Sequence, residues 1–393
     1  MTGVGGERTV SAVRAVSAAD DARFMRRCVT LARRAEGRTA PNPIVGCVVV
    51  GARGELLAEG WHTRAGEPHA EAVALARLGG RATGATLYVS LEPCGHDGPR
   101  RTAPCVPLIV AAGVARVVYG LADPVAGHGG AARLSAAGVA VDGPVLEEVC
   151  AAANRPFVTW ATKRRLFVTL KAAMTLDGRI ATAAGESRWI TGEAARAEVH
   201  RMRDRADCVL VGAATVRADD PLLTVRGVRG GRDPVRVVLD GRLSLAPSAR
   251  LLHSGSRAPT LVATTRSAPE SRARALVAAG AEVLRLPGAN GRIDLRALCR
   301  ALARRGLHSM LVEGGADTHA GFLAAGLCDR LVLFVAPSAI GGSAAPAWLG
   351  GPELARLAGA ERFRFDGPAR RLGDDLLLEA TPLGRARAQR GQR

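Results

Sequence analysis

Predicted helices and strands alternate along this chain, and the alternation begins again near residue 162. The first series opens with a helix from Asp20 or Asp21 to near Gly37, and a hairpin of the strands IVGCVVV and ELLAEGWH follows. It ends with one long helix from about 145 to 161, after which the strand LFVTLKAA opens the second series. Helix–strand alternation places helices against a sheet. We therefore expect two α/β domains, at residues 20–161 and 162–383, with flexible tails at 1–19 and 384–393.

The charge and the cysteines restrict the class of protein. The 393 residues carry a formal charge of +18, almost all from arginine, because the only lysines are Lys163 and Lys171. Such a charge suits anionic ligands, but the arginines are scattered and aromatic residues make up only 3%, which disfavours a surface that stacks nucleic-acid bases. The cysteines lack paired spacing, and neither a secretory signal nor a long apolar span is visible. We expect a cytoplasmic protein without nucleic-acid or membrane partners.

The segment His69-Ala70-Glu71 is followed, after a predicted strand, by Pro93-Cys94 and then by Cys105. An imidazole and two thiolates can fill three tetrahedral positions of a zinc ion and leave the fourth for a water whose pKa the metal lowers. Glu71 points off the ligand face of its helix, because residues two apart do not stack there. It is the candidate proton carrier, and the pattern is that of zinc-dependent deaminases.

The run PCGHDGPRRTAPC from residue 93 resembles the P-C-x-H-x-G-R-T-x-P-C segment of the riboflavin-pathway pyrimidine deaminases, as do PNPIVG at 41–46 and GWHTRAGEPHAE at 60–71. This resemblance implies a cytidine-deaminase-like, three-layer α/β/α domain in which Asn42 holds the pyrimidine ring and His96 contacts the substrate. Asn42 could otherwise serve only its Pro-flanked turn. A two-residue insertion near Pro99-Arg100 separates the cysteines further than is usual, so His96 is the alternative third ligand to Cys105.

Glycine-rich turns follow two predicted strands of the second half, but neither turn has the G-x-G-x-x-G pattern of a Rossmann fold. The ordered series LKAAMTLDGRIA (170–181), GESRWIT (185–191), VGAATVRADDPLLTVR (211–226) and LVEGG (311–315) is more specific. It resembles the riboflavin-pathway reductase domain, whose fold is like that of dihydrofolate reductase. The two resemblances follow each other in the order of the bifunctional deaminase–reductase family.

The second resemblance implies a set of site residues. Those that line the phosphosugar site are Lys171, Ser187, Arg203, Asp219, Leu223, Arg226 and Glu313. Those that contact NADPH are Ala173, Trp189, Thr215, Asp219, Gly315, Ala316, Asp317, Thr318, His319, Ala320 and Gly321.

Three of these residue types suggest particular roles. Arg203 and Arg226 can clamp a phosphate bidentately, and a buried Asp219 can polarise or protonate a sugar oxygen or an imine. Lys171 supplies a compact ammonium for a hydroxyl or carbonyl, a role that a guanidinium fills poorly. Asp219-Asp220-Pro221 is also a good turn sequence, which gives Asp219 a structural alternative.

The expected function is therefore bifunctional. With Zn²⁺, the first domain deaminates 2,5-diamino-6-(5-phosphoribosylamino)pyrimidin-4(3H)-one to 5-amino-6-(5-phosphoribosylamino)uracil. With NADPH, the second reduces the ribosyl group of that product to ribityl. The expected partners are these small molecules and further copies of the chain, as a dimer or tetramer. The alternative is a nucleic-acid-binding base deaminase with an accessory domain, which uses the charge of +18 but leaves the second half unexplained.

Overall fold

The computed structural model describes residues 17–95, 103–125 and 127–385. The chain divides into two compact units, and the division falls between Thr162 and Lys163. Within the described ranges, no helix is both long enough and apolar enough to cross a membrane. His96, the insertion near Pro99-Arg100 and most of both predicted tails lie outside the described residues.

The first unit has a five-stranded sheet with helices around it. Its helices are α1 (Ala18–Ala32), α2 (Ala70–Ala76), α3 (Cys105–Ala111), α4 (Ala131–Ala136), α5 (Glu147–Ala153) and α6 (Arg155–Lys163), the last of which crosses the division. Its strands are β1 (Gly46–Val50), β2 (Leu56–Trp61), β3 (Thr86–Val89), β4 (Arg116–Tyr119) and β5 (Ala140–Asp142). The strand order is β2-β1-β3-β4-β5. β1 runs antiparallel to β2 and β3, whereas β3, β4 and β5 are parallel.

Two glycines show how closely helices cover both faces of this sheet. A Cβ on Gly46 would lie 2.1 Å from the carbonyl oxygen of Cys28 in α1, and a Cβ on Gly60 would lie 2.4 Å from that of Ala70 in α2. Gly60 pairs with Cys47, and paired residues share a face while consecutive residues alternate. α1 and α2 therefore lie on opposite faces, which gives the three-layer α/β/α arrangement.

Three predicted boundaries were wrong. α1 begins at Ala18 and is capped by the hydroxyl of Ser17, with Asp20 completing the capping box, so residues 17–19 do not belong to a tail. α1 ends at Ala32 and is followed only by a 3-10 turn. The predicted helix from 145 to 161 is two helices, because Pro156 in the first turn of α6 has no N–H with which to continue the helix from α5. The side chain of Asn154, between the two helices, bonds both main-chain groups of Ile44 at 3.0 and 2.9 Å.

The second unit has a ten-stranded sheet. Its helices are α7 (Glu193–Arg205), α8 (Ala213–Asp219), α9 (Glu270–Ala278), α10 (Leu295–Arg304) and α11 (Ala316–Ala324). Its strands are β6 (Phe167–Thr175), β7 (Cys208–Gly212), β8 (Val235–Leu239), β9 (Thr260–Thr265), β10 (Ala281–Leu286), β11 (Gly288–Ala289), β12 (Arg292–Ile293), β13 (Ser309–Val312), β14 (Arg330–Ala336), β15 (Glu361–Phe365), β16 (Arg370–Leu372) and β17 (Asp375–Arg385), of which β11 and β12 form a separate small hairpin.

The strand order of the large sheet is β10-β9-β8-β7-β13-β6-β14-β17-β15, with β16 beside β17. The strands from β10 to β14 in this order are parallel, and β17 runs antiparallel to its neighbours. β11, β12, β15 and β16 were not predicted, whereas α8 begins at the predicted helix start after VGAAT. β17 extends to Arg385, beyond the predicted start of the C-terminal tail. Parallel strands end at one edge of a sheet, so the turns after β6, β7 and β13 lie together, where α/β proteins bind ligands.

Candidate active sites

His69, Cys94 and Cys105 come together in the first unit. His69 is the N-cap of α2, Cys105 is the first residue of α3, and Cys94 lies in the segment between β3 and α3. The Nδ1 atom of His69 is 3.3 Å from Sγ of Cys105 and 3.5 Å from Sγ of Cys94. The three donor atoms all lie within 4.8 Å of one another.

The donor set of this cluster fits a zinc ion. One imidazole nitrogen and two sulfurs are ligands that zinc prefers, and three protein ligands leave a tetrahedral position open. The hydrogen bonds of Cys94 to Cys105 and to His69 outweigh its burial and lower the pKa of its thiol to about 4. The main-chain N–H of Cys105 also donates to Sγ of Cys94, over 3.3 Å. Cys94 is thus held as a thiolate, the form that binds metal.

Glu71 lies beside this cluster without being part of it. It is the second residue of α2, and only 3% of its surface is exposed. Burial raises the pKa of its carboxyl group, while the charge of His69 acts in the opposite direction. A carboxyl group with a raised pKa is better suited to accept and return a proton, as a general acid–base group must.

The structure also places a second histidine, His62, beside the predicted ring-binding residue Asn42. Nε2 of His62 is 3.1 Å from Nδ2 of Asn42, and its Nδ1 is 3.1 Å from the carbonyl oxygen of Pro68. That carbonyl only accepts, so Nδ1 carries the proton and Nε2 accepts from the amide of Asn42. This bond orients Asn42. A role for His62 was not predicted from the sequence, although the first histidine of GWHTRAGEPHAE was an available signal.

The predicted residues of the second unit surround one cavity of about 660 Å³. The predicted residues that line it are Lys171, Ala173, Ser187, Trp189, Arg203, Thr215, Asp219, Leu223, Arg226, Glu313, Gly315, Ala316 and His319. The predicted residues that are not in its lining are Asp317, Thr318, Ala320 and Gly321. Further basic residues that were not predicted from the sequence line the cavity, among them Arg188, Arg196, His200 and Arg250.

Glu313 is the centre of a buried charge cluster at the end of β13. Nε and Nη2 of Arg203 donate to its two carboxylate oxygens over 2.6 and 3.0 Å, and Nζ of Lys171 lies 3.5 Å away. Burial alone would raise the pKa of Glu313, but these two cations lower it to about 2. The bidentate face of Arg203, which the sequence suggested for a phosphate, is therefore occupied by Glu313.

Asp219 ends α8 and faces the same cavity. The hydroxyl of Ser187 donates to its Oδ1 over 2.9 Å, and the guanidinium of Arg188 donates to its main-chain oxygen. These bonds fix Asp219 at the cavity wall, as a role in proton transfer requires.

The start of α11 fits a phosphate of a dinucleotide. Its N-cap is Gly315, whose lack of a side chain leaves the first N–H groups without a side-chain cap, and such groups bind phosphates. A Cβ on Gly314 would lie 2.5 Å from Cβ of Thr318, so the turn itself must stay small. Trp189, 68% exposed, offers an aromatic face on the same cavity.

Comparisons with known proteins match one family description to each half of the chain. The family description "Cytidine and deoxycytidylate deaminase zinc-binding region" matches residues 18–121, and "RibD C-terminal domain" matches residues 166–368. The riboflavin biosynthesis protein RibD of Aquifex aeolicus is 42% identical over 82% of this chain and 88% of its own length, and that of Escherichia coli is 38% identical over 91% and 98%. The chain belongs to the RibD family.

Solved RibD structures extend this similarity to the fold. RibD of Acinetobacter baumannii superposes with a TM-score of 0.82 at 34% identity, over 93% of this chain and 99% of that one. A structure from Thermotoga maritima, described as a diaminohydroxyphosphoribosylaminopyrimidine deaminase and 5-amino-6-(5-phosphoribosylamino)uracil reductase, gives 0.80 at 36% identity over the same shares.

Membership of the RibD family confirms the predicted fold class and the predicted function in outline. The protein is a bifunctional deaminase and reductase of riboflavin biosynthesis. The family implies zinc for the deaminase and NADPH for the reductase, and the donor cluster and the cavity described above fit these two cofactors.

Proposed function

We propose that the first unit deaminates 2,5-diamino-6-(5-phosphoribosylamino)pyrimidin-4(3H)-one and that the second reduces the resulting 5-amino-6-(5-phosphoribosylamino)uracil. We assign these reactions to residues 20–161 and 162–383. The proposal rests on one observation, which is that the chain contains two different sites. The first unit has a zinc-type donor cluster beside the buried Glu71, and the second has a separate cavity that Glu313 lines.

In the first reaction, a water oxygen adds to C2 of the pyrimidine and the bond from C2 to the amino nitrogen breaks. His69, Cys94 and Cys105 would hold the zinc ion, which would supply the Lewis acidity for water to ionise near neutral pH. Glu71 transfers one proton of the attacking water to the ring nitrogen and then the second, from the new hydroxyl on C2, to the departing amine, which leaves as ammonia while the C2 carbonyl forms. Asn42, oriented by His62, hydrogen-bonds the ring edge, and His96 is a further proposed substrate contact.

In the second reaction, NADPH supplies the hydride that C1′ of the opened ribose receives. We propose that Asp219, held by Ser187, supplies the accompanying proton and that Lys171 bonds a sugar oxygen. Arg203, Leu223 and Glu313 shape the sugar site. The proposed NADPH contacts are Ala173, Trp189, Thr215, Asp219 and the stretch from Gly315 to Gly321.

The two metal-binding thiols indicate the cellular compartment, and the exposed edge of the second sheet indicates the oligomeric state. Cys94 and Cys105 must stay reduced to bind metal, which favours the cytoplasm.

We propose a homo-oligomer, a dimer or tetramer, because β15 is an edge strand and apolar side chains on it and on the neighbouring β17 are exposed. Phe365 is 66% exposed and Leu383 62%. Neither reaction requires a nucleic acid or a membrane.

An assay with two readouts tests the proposal. Purified protein given zinc, NADPH and the diaminopyrimidine phosphoriboside should release one ammonia and oxidise one NADPH per substrate, and ammonia should appear first. NADPH oxidation without ammonia would contradict the order of the reactions. Binding to RNA with steep salt dependence and no turnover would favour the base-deaminase alternative.

A further inference from the structure

Side chains hold the main chain of residues 224–226, in the segment between α8 and β8. Each of these residues makes one such bond, and the partners are Arg203 and His200 from α7 and Asp233 from the same segment. Nη1 of Arg203 donates to the oxygen of Thr224 over 3.1 Å, and the N–H of residue 225 donates to Oδ1 of Asp233 over 2.7 Å. The N–H of residue 226 donates to Nδ1 of His200 over 3.2 Å. The position of Arg226 in the cavity wall therefore depends on His200.

The bond to the main chain defines the protonation state of His200. A main-chain N–H can only donate, so Nδ1 must be the unprotonated nitrogen and the ring proton lies on Nε2. Burial, and then the charges of Arg203 and Arg226, lower the pKa of His200, whereas Glu313 and the carbonyl of Thr224 act in the opposite direction. At neutral pH the ring is an uncharged imidazole with a donor at Nε2.

Three of the arginines that line the cavity with His200 already have partners within the protein. The bidentate face of Arg203 holds Glu313, Arg188 is bonded to the main chain of Asp219, and the guanidinium of Arg196 lies 4.6 Å from the ring centre of Trp189.

Arg226 differs from these three cations, because among the described residues its guanidinium has no carboxylate, main-chain oxygen or aromatic ring as a partner, and its one bond is made by its main-chain N–H. Arg226 and His200 both line the cavity. A guanidinium without a protein partner and a neutral N–H donor beside it can together hydrogen-bond the oxygens of a phosphomonoester.

We propose that His200 is a positioning and specificity residue of the reductase: its Nδ1 fixes the main chain at Arg226, and its Nε2–H donates to the phosphate of the substrate. The inference rests on the proposed function, because it takes the phosphoribosyl group as the ligand. His200 and Arg226 together, rather than Arg203, then select the phosphorylated substrate.

Two conservative variants separate the two roles of His200. In His200→Asn, the amide oxygen can replace Nδ1 but the donor at Nε2 is lost. In His200→Gln, the amide nitrogen can replace Nε2 but the acceptor at Nδ1 is lost. His200→Ala removes both, and His253→Ala, an exposed histidine outside the cavity lining, is the matched control. Wild-type turnover of the dephosphorylated compound and an unchanged KM for NADPH show that the second unit of each variant is folded.

The readouts are the KM and kcat for the deaminated intermediate, with and without its phosphate, and inhibition by inorganic phosphate. His200→Ala should raise the KM for the phosphorylated compound about tenfold and weaken phosphate inhibition similarly, with kcat changed less. The KM for the dephosphorylated compound should stay as in the wild type. Phosphate should inhibit His200→Gln more strongly than His200→Asn, because only glutamine can replace the donor at Nε2. In the wild type, the KM for the phosphorylated compound should stay constant from about pH 6.5 to 8, since a neutral ring is the donor.

Several results would overturn the proposal. Three concern His200→Ala: an unchanged KM for the phosphorylated compound, an equal rise in the KM for the dephosphorylated compound, or a change only in the KM for NADPH. The fourth is a wild-type KM that rises as the pH increases through about 6.5, as contact with an imidazolium would require. A wild-type protein that does not oxidise NADPH with the intermediate would instead refute the proposed function.

Discussion

Glu71→Gln should lower the rate of ammonia release by about 10²–10⁴-fold, the usual contribution of a general acid–base group. Glutamine has nearly the same shape, so the buried position on α2 stays filled, but it cannot take up and return a proton. Glu71 is not one of the clustered donors, so the variant should retain about one zinc per chain. The measurement is ammonia release under saturating substrate, together with metal analysis of the same sample.

The matched control for this variant is Glu67→Gln, an exposed carboxylate shortly before His69. It should leave both ammonia release and zinc content at wild-type values. NADPH oxidation with the deaminated intermediate should be unchanged in both variants. Deamination near the wild-type rate by Glu71→Gln would refute the proton-carrier role, and loss of its zinc would show that Glu71 supports the metal site instead.

Lys171→Met should reduce NADPH oxidation with the deaminated intermediate by about 10²-fold or more, as expected when a charged donor is removed from a water-poor site. The Lys171 side chain is only 14% exposed and lies 3.5 Å from Glu313. Glu313 keeps both bonds from Arg203 in the variant, so the carboxylate is not left unpaired and the unit should fold. Ammonia release should remain at the wild-type rate.

The chain contains only one other lysine, which makes Lys163→Met an unusually direct control. The side chain of Lys163 is 57% exposed, and its ammonium is 3.9 Å from Asp329, which also pairs with Arg165. Both reactions of Lys163→Met should therefore match the wild type. If Lys171→Met oxidised NADPH normally, the reductase site would not depend on the ammonium.

The parts of the structure that depend on short stretches of sequence were predicted. The strand and helix order, the two-unit arrangement and the zinc-type donors His69, Cys94 and Cys105 follow from periodicity and residue type within short segments. What could not be predicted depends on contacts between distant residues. The bond between Asn154 and Ile44 and the pairing of Arg203 with Glu313 each span 110 residues. The break between α5 and α6, in contrast, had a local signal in Pro156, which the prediction of one helix overlooked.

The strands β15 and β16 were missed for a related reason. Their sequences, ERFRF and RRL, carry few apolar residues, because they lie at the edge of the sheet and remain largely exposed. The pattern of alternating buried and exposed residues that identifies a strand is weak at such positions. His62 was overlooked because its role depends on Asn42, which it meets only in the folded chain.

Removal of zinc tests the central claim most directly, which is that one chain carries two chemically separate sites. After chelation, the protein should no longer release ammonia from the diaminopyrimidine but should still oxidise NADPH with the deaminated intermediate, and about one equivalent of zinc should restore the first activity. Ammonia release that persists without metal, or loss of both activities together without unfolding, would contradict the account.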